Sequence, residues 1–309
     1  MNQTPGAGKT VGILGVPLAF GQSMLGVELG PPATRFAGLA PGIAKLGYEV
    51  NDHGDLRVER PRSYPREGDR LKYLNEVFTT CSELAVETEK IVDAGELPIT
   101  IGGDHSIAIG SLSGIAKAFR KQGETLGLIY LDAHADMNTD ETTPSGNIHG
   151  MPLAVLLGFG APELVSIGGH GAKFDVKACA HVGARDLDPG ERELIKQLGI
   201  RFFTMREIDE RGLNACMDEA IAIASKGSAG FAVTFDVDVL DPGDAPGSGT
   251  LVRGGFTYRE AHLAMEKIAE SSKMRSLEVV EINTVLDVNN RTAELAVELI
   301  LSALGKTIL

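Results

Sequence analysis

The chain has 309 residues, 43% of them hydrophobic, with 42 acidic against 29 basic side chains and a formal charge of -13. That length can bury one large core, and the negative balance argues against nucleic acid or an anionic membrane as a partner while suiting a cationic small substrate. Cys81, Cys179 and Cys216 lie far apart without a CxxC pair, so neither a disulfide framework nor a thiolate zinc site is indicated, and a reducing cytoplasm is expected.

The N-terminal MNQTPGAGKT lacks the apolar stretch of a secretory signal, and no run approaches the roughly 20 apolar residues of a membrane span. A soluble, untargeted protein is expected. GAGKT looks like the end of a phosphate-binding loop, but Gln3 stands where its first glycine belongs and the segment precedes a strand instead of following one.

Apolar, β-branched runs predict strands at Val11 to Val16, Leu97 to Ile101, Leu126 to Leu131, Leu164 to Ile167, Phe231 to Val237 and Glu278 to Ile282, with weaker signals near Tyr48, Ala180 and Phe202. Helical spacing falls at Leu71 to Ala94, Ser106 to Lys121, Glu191 to Leu198, Asn214 to Ser225, Tyr258 to Glu270 and Thr292 to Leu304. Val58 to Arg70, dense in charge and proline, reads as an exposed loop. The alternation implies an α/β fold, three-layer α/β/α with a mainly parallel central sheet, in one domain spanning residues 1–309.

Ligands of such sheets gather outside the carboxyl ends of the strands, where three motifs fall. LIYLDAHADMN alternates Asp132, His134 and Asp136 with alanines, a spacing that aims all three side chains one way if the segment is extended. GFAVTFDVDVLDP repeats the pattern with Asp236 and Asp238, and LPITIGGDHS sets His105 just past a strand and a glycine pair. Two imidazoles and four carboxylates suit two hard or borderline divalent ions such as manganese, with zinc an alternative. Six ligands are few for two ions, so carboxylates must bridge, and metals roughly 3.5–4 Å apart would share and acidify one water. Each motif alone could equally cap a helix or hold a transient cation; their joint placement favours a metal centre. Asp104, beside His105, reads as a loop-fixing residue.

GGDHS, DAHADMN and FDVDVLDP, in this order, resemble the ureohydrolases over almost the whole chain. NTDETTPSGNIHGMPLA and GARDLDPGE make the likeness closest to the arginase family. The resemblance implies that Asp132 and Asp236 bridge two Mn2+ ions, with His105 and Asp136 completing one and His134 and Asp238 the other. It implies hydrolysis of L-arginine to L-ornithine and urea by a metal-bridging hydroxide, with Asp136, His149 and Glu281 catalytic. Asn138, Ser145 and Asn147 would contact the substrate α-carboxylate and Asp188 its α-amino group, with Asp186, Glu191 and Thr250 nearby and Glu281 facing the guanidinium. A cytoplasmic homo-oligomer, trimer or hexamer, is expected from the resemblance. Thr284 departs from the proline common in the family and bears on loop stiffness.

Read without the resemblance, Asn138, Ser145 and Asn147 are common turn residues, DLDPGE is a helix start, and Glu281 or His149 could pair structurally. The nearest rival function is another guanidine hydrolase, such as an agmatinase or guanidinobutyrase. A rival of a different class is a non-catalytic metal-binding scaffold.

Overall fold

Residues 5–61, 64–65 and 69–307 are described in the computed structural model of the chain. Gln3 and part of the expected Val58 to Arg70 loop lie outside them. Eight strands form a single sheet: β1 (Thr10–Val16), β2 (Glu49–Asp55), β3 (Leu97–Gly102), β4 (Gly127–Leu131), β5 (Cys179–Ala184), β6 (Arg201–Thr204), β7 (Phe231–Asp236) and β8 (Met274–Val280). Their spatial order is β2-β1-β3-β8-β7-β4-β5-β6, and every neighbouring pair is parallel.

The helices are α1 (Gly30–Phe36), α2 (Leu39–Lys45), α3 (Leu74–Asp93), α4 (Ala108–Lys121), α5 (Pro152–Leu156), α6 (Pro162–Ser166), α7 (Pro189–Leu198), α8 (Met205–Arg211), α9 (Leu213–Ser225), α10 (Tyr258–Ser271) and α11 (Arg291–Ala303). None of the described helices is long and apolar enough to cross a membrane. Because strand side chains alternate, Ile129 and Leu131 of β4 pack with α9, α10 and α11, whereas Leu128 and Tyr130 pack with α4 on the opposite face. Helices thus cover both faces of a sheet whose central strands are apolar on both sides, the three-layer arrangement expected from the sequence.

The strands near Tyr48, Ala180 and Phe202 are present as β2, β5 and β6. Their signals were weak for a reason in β2 and β6: both are edge strands, and β2 is largely exposed, so little hydrophobicity marks it. Leu164 to Ile167 is a correction: the run belongs to the short helix α6. Pro162 at the start of that helix and Glu163 in its first turn favour helix initiation, and only Leu164 of the turn is buried. Helix α3 begins at Leu74, later than expected, because Tyr73 before it is left-handed with φ 50°.

Four adjacent central strands, β3, β8, β7 and β4, end level with one another: Ile101 lies opposite Val279, Asp236 opposite Val280, and Leu131 opposite Phe235. The chain leaves β3 through Gly102 and Gly103. A Cβ on Gly103 would lie 1.8 Å from the Leu18 carbonyl oxygen and 2.7 Å from its nitrogen, so this crossing of two backbones admits only glycine. The same residue holds the end of β8, its carbonyl accepting the Glu281 N–H at 2.9 Å. Gly103→Ala should therefore destabilise the protein by roughly 1–3 kcal/mol or more in urea denaturation. A loss below about 0.5 kcal/mol, the range of ordinary surface changes, would contradict this close approach.

Candidate metal centre

The aspartates that face the site also end the strands that carry them. Asp132 Oδ1 accepts the backbone N–H of His134 at 2.7 Å, and Asp236 Oδ1 accepts that of Asp238 at 2.8 Å. Each is an Asx-type turn, which competes with the sheet ladder and turns the chain out of it. The expectation of an extended Asp132 to Asp136 segment is thereby corrected: β4 stops at Leu131, Asp238 lies in a 3-10 turn (Val237–Val239), and Asp136 is left-handed with φ 52°. The side chains still converge, through turns and not through strand alternation. Asp104 makes a third such turn, accepting Ser106 N–H at 3.0 Å and Gly21 N–H at 2.8 Å, and so fixes the loop that presents His105.

With Oδ1 used in the turn, the second oxygens are left for the site. His105 Nδ1 lies 3.1 Å from Asp132 Oδ2, 3.1 Å from Asp136 Oδ2 and 3.2 Å from Asp236 Oδ2. His134 Nδ1 is 3.0 Å from Asp238 Oδ2 and 3.5 Å from Asp132 Oδ1. Ligand atoms of His105, Asp132 and Asp136 form one compact group, and those of Asp132, His134 and Asp238 a second, sharing Asp132.

The donor set fits divalent cations on three observations. Asp132 Oδ2 is buried and makes no well-aligned hydrogen bond, its near neighbour being the His105 imidazole at 3.1 Å, a costly state for a carboxylate oxygen unless positive charge faces it. Burial, followed by repulsion from Asp136 and Asp238, pushes the Asp132 carboxyl up to about 6, and burial with repulsion from Asp238 and Asp132 raises Asp236. Burial opposes charge on His105, yet the surrounding aspartates hold its pKa well above the ordinary value, so the pocket stabilises positive charge.

Side chains behind the ligands set their orientation. Thr234 donates to the buried Glu278 at 2.9 Å, which leaves its hydroxyl oxygen to accept from His105 Nε2–H at 2.9 Å. Ser111 also donates to Glu278. That chain keeps Nδ1 as the free ligand atom of His105. Tyr130 donates to Asp136 Oδ2 at 2.7 Å and stacks on His105 with ring centroids 4.8 Å apart. Arg185 donates to the carbonyls of Asp238 at 2.6 Å and Val252 at 2.8 Å, bracing the loop after β7. Sequence reasoning missed all of these. Tyr130 and Thr234 each stand two residues before a site aspartate, on the same face of its strand, which is the one signal that could have found them.

Over the centre opens a cavity of about 130 Å³. His149 lines it together with Asn138, Ser145, Asn147, Asp188, Glu191 and Thr250; Asp186 does not, and its side chain is exposed. A larger cavity of about 750 Å³ lies at the amino ends of the strands around Tyr48, Leu97 and Met274, but it holds neither metal-type group. Asn138 Nδ2 donates to Asp188 Oδ2 at 2.8 Å, and Thr250 donates to Asp238 Oδ2 at 3.0 Å. Glu191 accepts the N–H groups of Asp188 at 2.7 Å and Met137 at 3.0 Å, so the start of α7 and the loop after β4 are tied together. Burial outweighs those donations and raises the Glu191 carboxyl to about 7.

Glu281 sits behind the cavity, fully buried and left-handed with φ 65°. Its carboxylate accepts from Gln22 Nε2 at 2.8 Å and from His105 N–H at 2.9 Å, and it pairs with His149 Nδ1 at 3.1 Å. Burial lowers the His149 pKa, but this carboxylate more than offsets it and leaves the imidazole raised.

Carboxylates and imidazoles gathered where parallel strands end, below a polar cavity, define a site fitted to divalent metal ions in an α/β fold. An Arginase family profile matches residues 9–305. The arginase of Brevibacillus brevis is 46% identical over 301 residues, covering 97% of this chain and 99% of that protein. Among solved structures, native arginase from Bacillus caldovelox superimposes with a TM-score of 0.93 at 45% identity, covering 97% of this chain and 100% of that one. Entamoeba histolytica arginase in complex with L-ornithine gives 0.89 at 32% identity, over 97% of this chain and 100% of that one. The chain belongs to the arginase family.

If the Glu278, Thr234 and His105 chain sets the ligand tautomer, Thr234→Val should weaken binding of Mn2+ to the metal-stripped protein by about 10–100-fold in calorimetry. Wild-type affinity in that variant would refute the orientation role.

Proposed function

We propose that this protein hydrolyses the guanidinium group of L-arginine, giving L-ornithine and urea, with two Mn2+ ions held by His105, Asp132, His134, Asp136, Asp236 and Asp238. The observation that carries the reading is the pairing of a cation-seeking carboxylate pocket with a polar rim of amide and hydroxyl side chains on one cavity. When bound, the metal pair would acidify a water and so supply the nucleophile at neutral pH.

The side chains of the chain do the rest. Asn138, Ser145 and Asn147 donate to the substrate α-carboxylate, and Asp188 accepts from its α-ammonium, with Glu191 beside it on the cavity wall and Asp186 outside the lining. Thr250 steadies Asp238 through its hydroxyl. Glu281 orients the guanidinium from behind the cavity, since a carboxylate matches its planar array of donors. Attack at the guanidinium carbon gives a tetrahedral intermediate; the ornithine nitrogen must then gain a proton to leave. Asp136 accepts a proton from the attacking water and passes it to that nitrogen, while His149, hydrogen-bonded to Glu281 and facing the cavity, exchanges protons with solvent.

The chain works in this reading as one catalytic domain in a cytoplasmic homo-oligomer. Its three buried free cysteines suit a reducing compartment. Metal-stripped protein should release no urea from L-arginine and should regain turnover with Mn2+. Asp132→Ala, folded by circular dichroism, should lose at least about a hundredfold of that rate. Comparable urea release without metal, or from the variant, would overturn the assignment, and a preference for agmatine would move the substrate to a simple amine.

A further inference from the structure

The cavity has an electrostatic difficulty that its own lining does not solve. The proposed substrate carries a carboxylate, yet Asp136, Asp188, Glu191 and Asp236 line the space, and no lysine or arginine lines it among the described residues. The imidazoles and the metal pair supply positive charge at the centre, but the rim side chains proposed to meet that carboxylate, Asn138, Ser145 and Asn147, are neutral donors. Cationic charge can reach that rim from behind the lining.

Lys72 stands in that position. It lies just ahead of α3, distant in sequence from the loop between β4 and α5, and grips that loop twice. Its backbone N–H donates to the Gly146 carbonyl at 2.9 Å, and its ammonium donates to Asn147 Oδ1 at 2.9 Å. Ser23 Oγ donates to the same Oδ1 at 3.0 Å and itself lies 3.2 Å from the Lys72 ammonium. The Asn147 carbonyl oxygen has two lone pairs, and two donors occupy them. Its amide cannot then rotate to present oxygen to the cavity it lines; what remains for a ligand is the NH2 group, a donor suited to a carboxylate and not to an ammonium.

Two further contacts hold this arrangement. Gly146, left-handed with φ 74°, passes so close to the segment before α3 that a Cβ there would lie 3.1 Å from the Arg70 carbonyl. Arg70 Nε donates to the Asp140 carbonyl at 2.6 Å, pinning the other end of the same loop. Arg70, however, is spent on Asp140 and Glu141, whereas the Lys72 charge is directed at an amide that borders the cavity. An ammonium bonded to the oxygen of an amide also polarises its N–H groups and strengthens them as donors.

We infer that Lys72 is a specificity-determining residue: by fixing the Asn147 amide and lending it positive charge, it makes the cavity select guanidino compounds that carry an α-carboxylate. The inference rests on the proposed arginine-hydrolysing reading and gives Lys72 a positioning role, with no contact to the reacting carbon. A substrate lacking the carboxylate does not sense it.

The test compares L-arginine with agmatine, the same molecule without the carboxylate, in Mn2+-loaded wild type, Lys72→Met and Lys72→Arg. Loss of one charge-assisted contact predicts a KM for L-arginine raised about tenfold with kcat changed less than about twofold in Lys72→Met, and largely restored in Lys72→Arg. Agmatine, followed as substrate or as competitive inhibitor, should be unaffected. Parallel weakening of both compounds would show that Lys72 only holds the loop, and an unchanged KM for L-arginine would remove the role altogether. If the wild type releases no urea from L-arginine, the reading of the reaction fails separately. Calorimetry with L-ornithine and putrescine then still decides the inference: Lys72→Met must weaken only the carboxylate-bearing ligand, and equal weakening of both, or of neither, overturns it.

Discussion

Repulsion among buried carboxylates is the constraint on which this structure turns. Asp132, Asp136 and Asp236 each place an oxygen within 3.1–3.2 Å of the same His105 nitrogen, and Asp238 closes on His134 at 3.0 Å. Two like charges 4 Å apart repel by roughly 4 kcal/mol at an effective dielectric near 20. Several such pairs rival the roughly 5–15 kcal/mol that keeps a whole domain folded. The arrangement is sustainable because the pocket takes up positive charge, first from its own imidazoles and, when loaded, from metal ions.

The fold meets that cost by placing the residues where nothing local has to be invented. Central parallel strands end level, and the turns that stop β4 and β7 are made by Asp132 and Asp236, the aspartates that face the site. One oxygen holds the backbone while the other is offered to the ligand. Asp136 and Glu281 are the exceptions, both non-glycine residues at positive φ, a conformation that costs on the order of 1–3 kcal/mol each. They are held there by backbone bonds, Asp136 O to Ala154 N–H at 3.2 Å and Glu281 N–H to Gly103 O at 2.9 Å. Local strain thus sits on two residues assigned to chemistry, supported by the rigid sheet behind them.

What could be read in the sequence was what is local. Central strands were visible because both faces are apolar, and the metal-type residues were visible because each set lies within a few positions at a strand end. The strand expected at Leu164 to Ile167 failed because a short apolar run has no period of its own, and Pro162 with Glu163 decided for helix. The extended reading of Asp132 to Asp136 failed because the aspartate that marks the motif also breaks the strand. Glu278, Arg185 and Lys72 act across sequence separations of 44 to 75 and carry no signal beyond their residue type, and Thr234 carries only its place two residues before Asp236. Their roles come from topology: β8 lies between β3 and β7, so Glu278 reaches both Ser111 and Thr234.

The central claim is that His105, Asp132, His134, Asp136 and Asp238 form one centre in two halves that share Asp132, with Asp236 reaching it beside His105 at 3.2 Å. Electron paramagnetic resonance of the Mn2+-saturated protein, free of excess metal, tests this most directly. An exchange-coupled, many-line spectrum from two ions joined by a common ligand is the predicted result. A simple six-line spectrum of isolated Mn2+ at saturation would show separate or single sites and would contradict the shared centre.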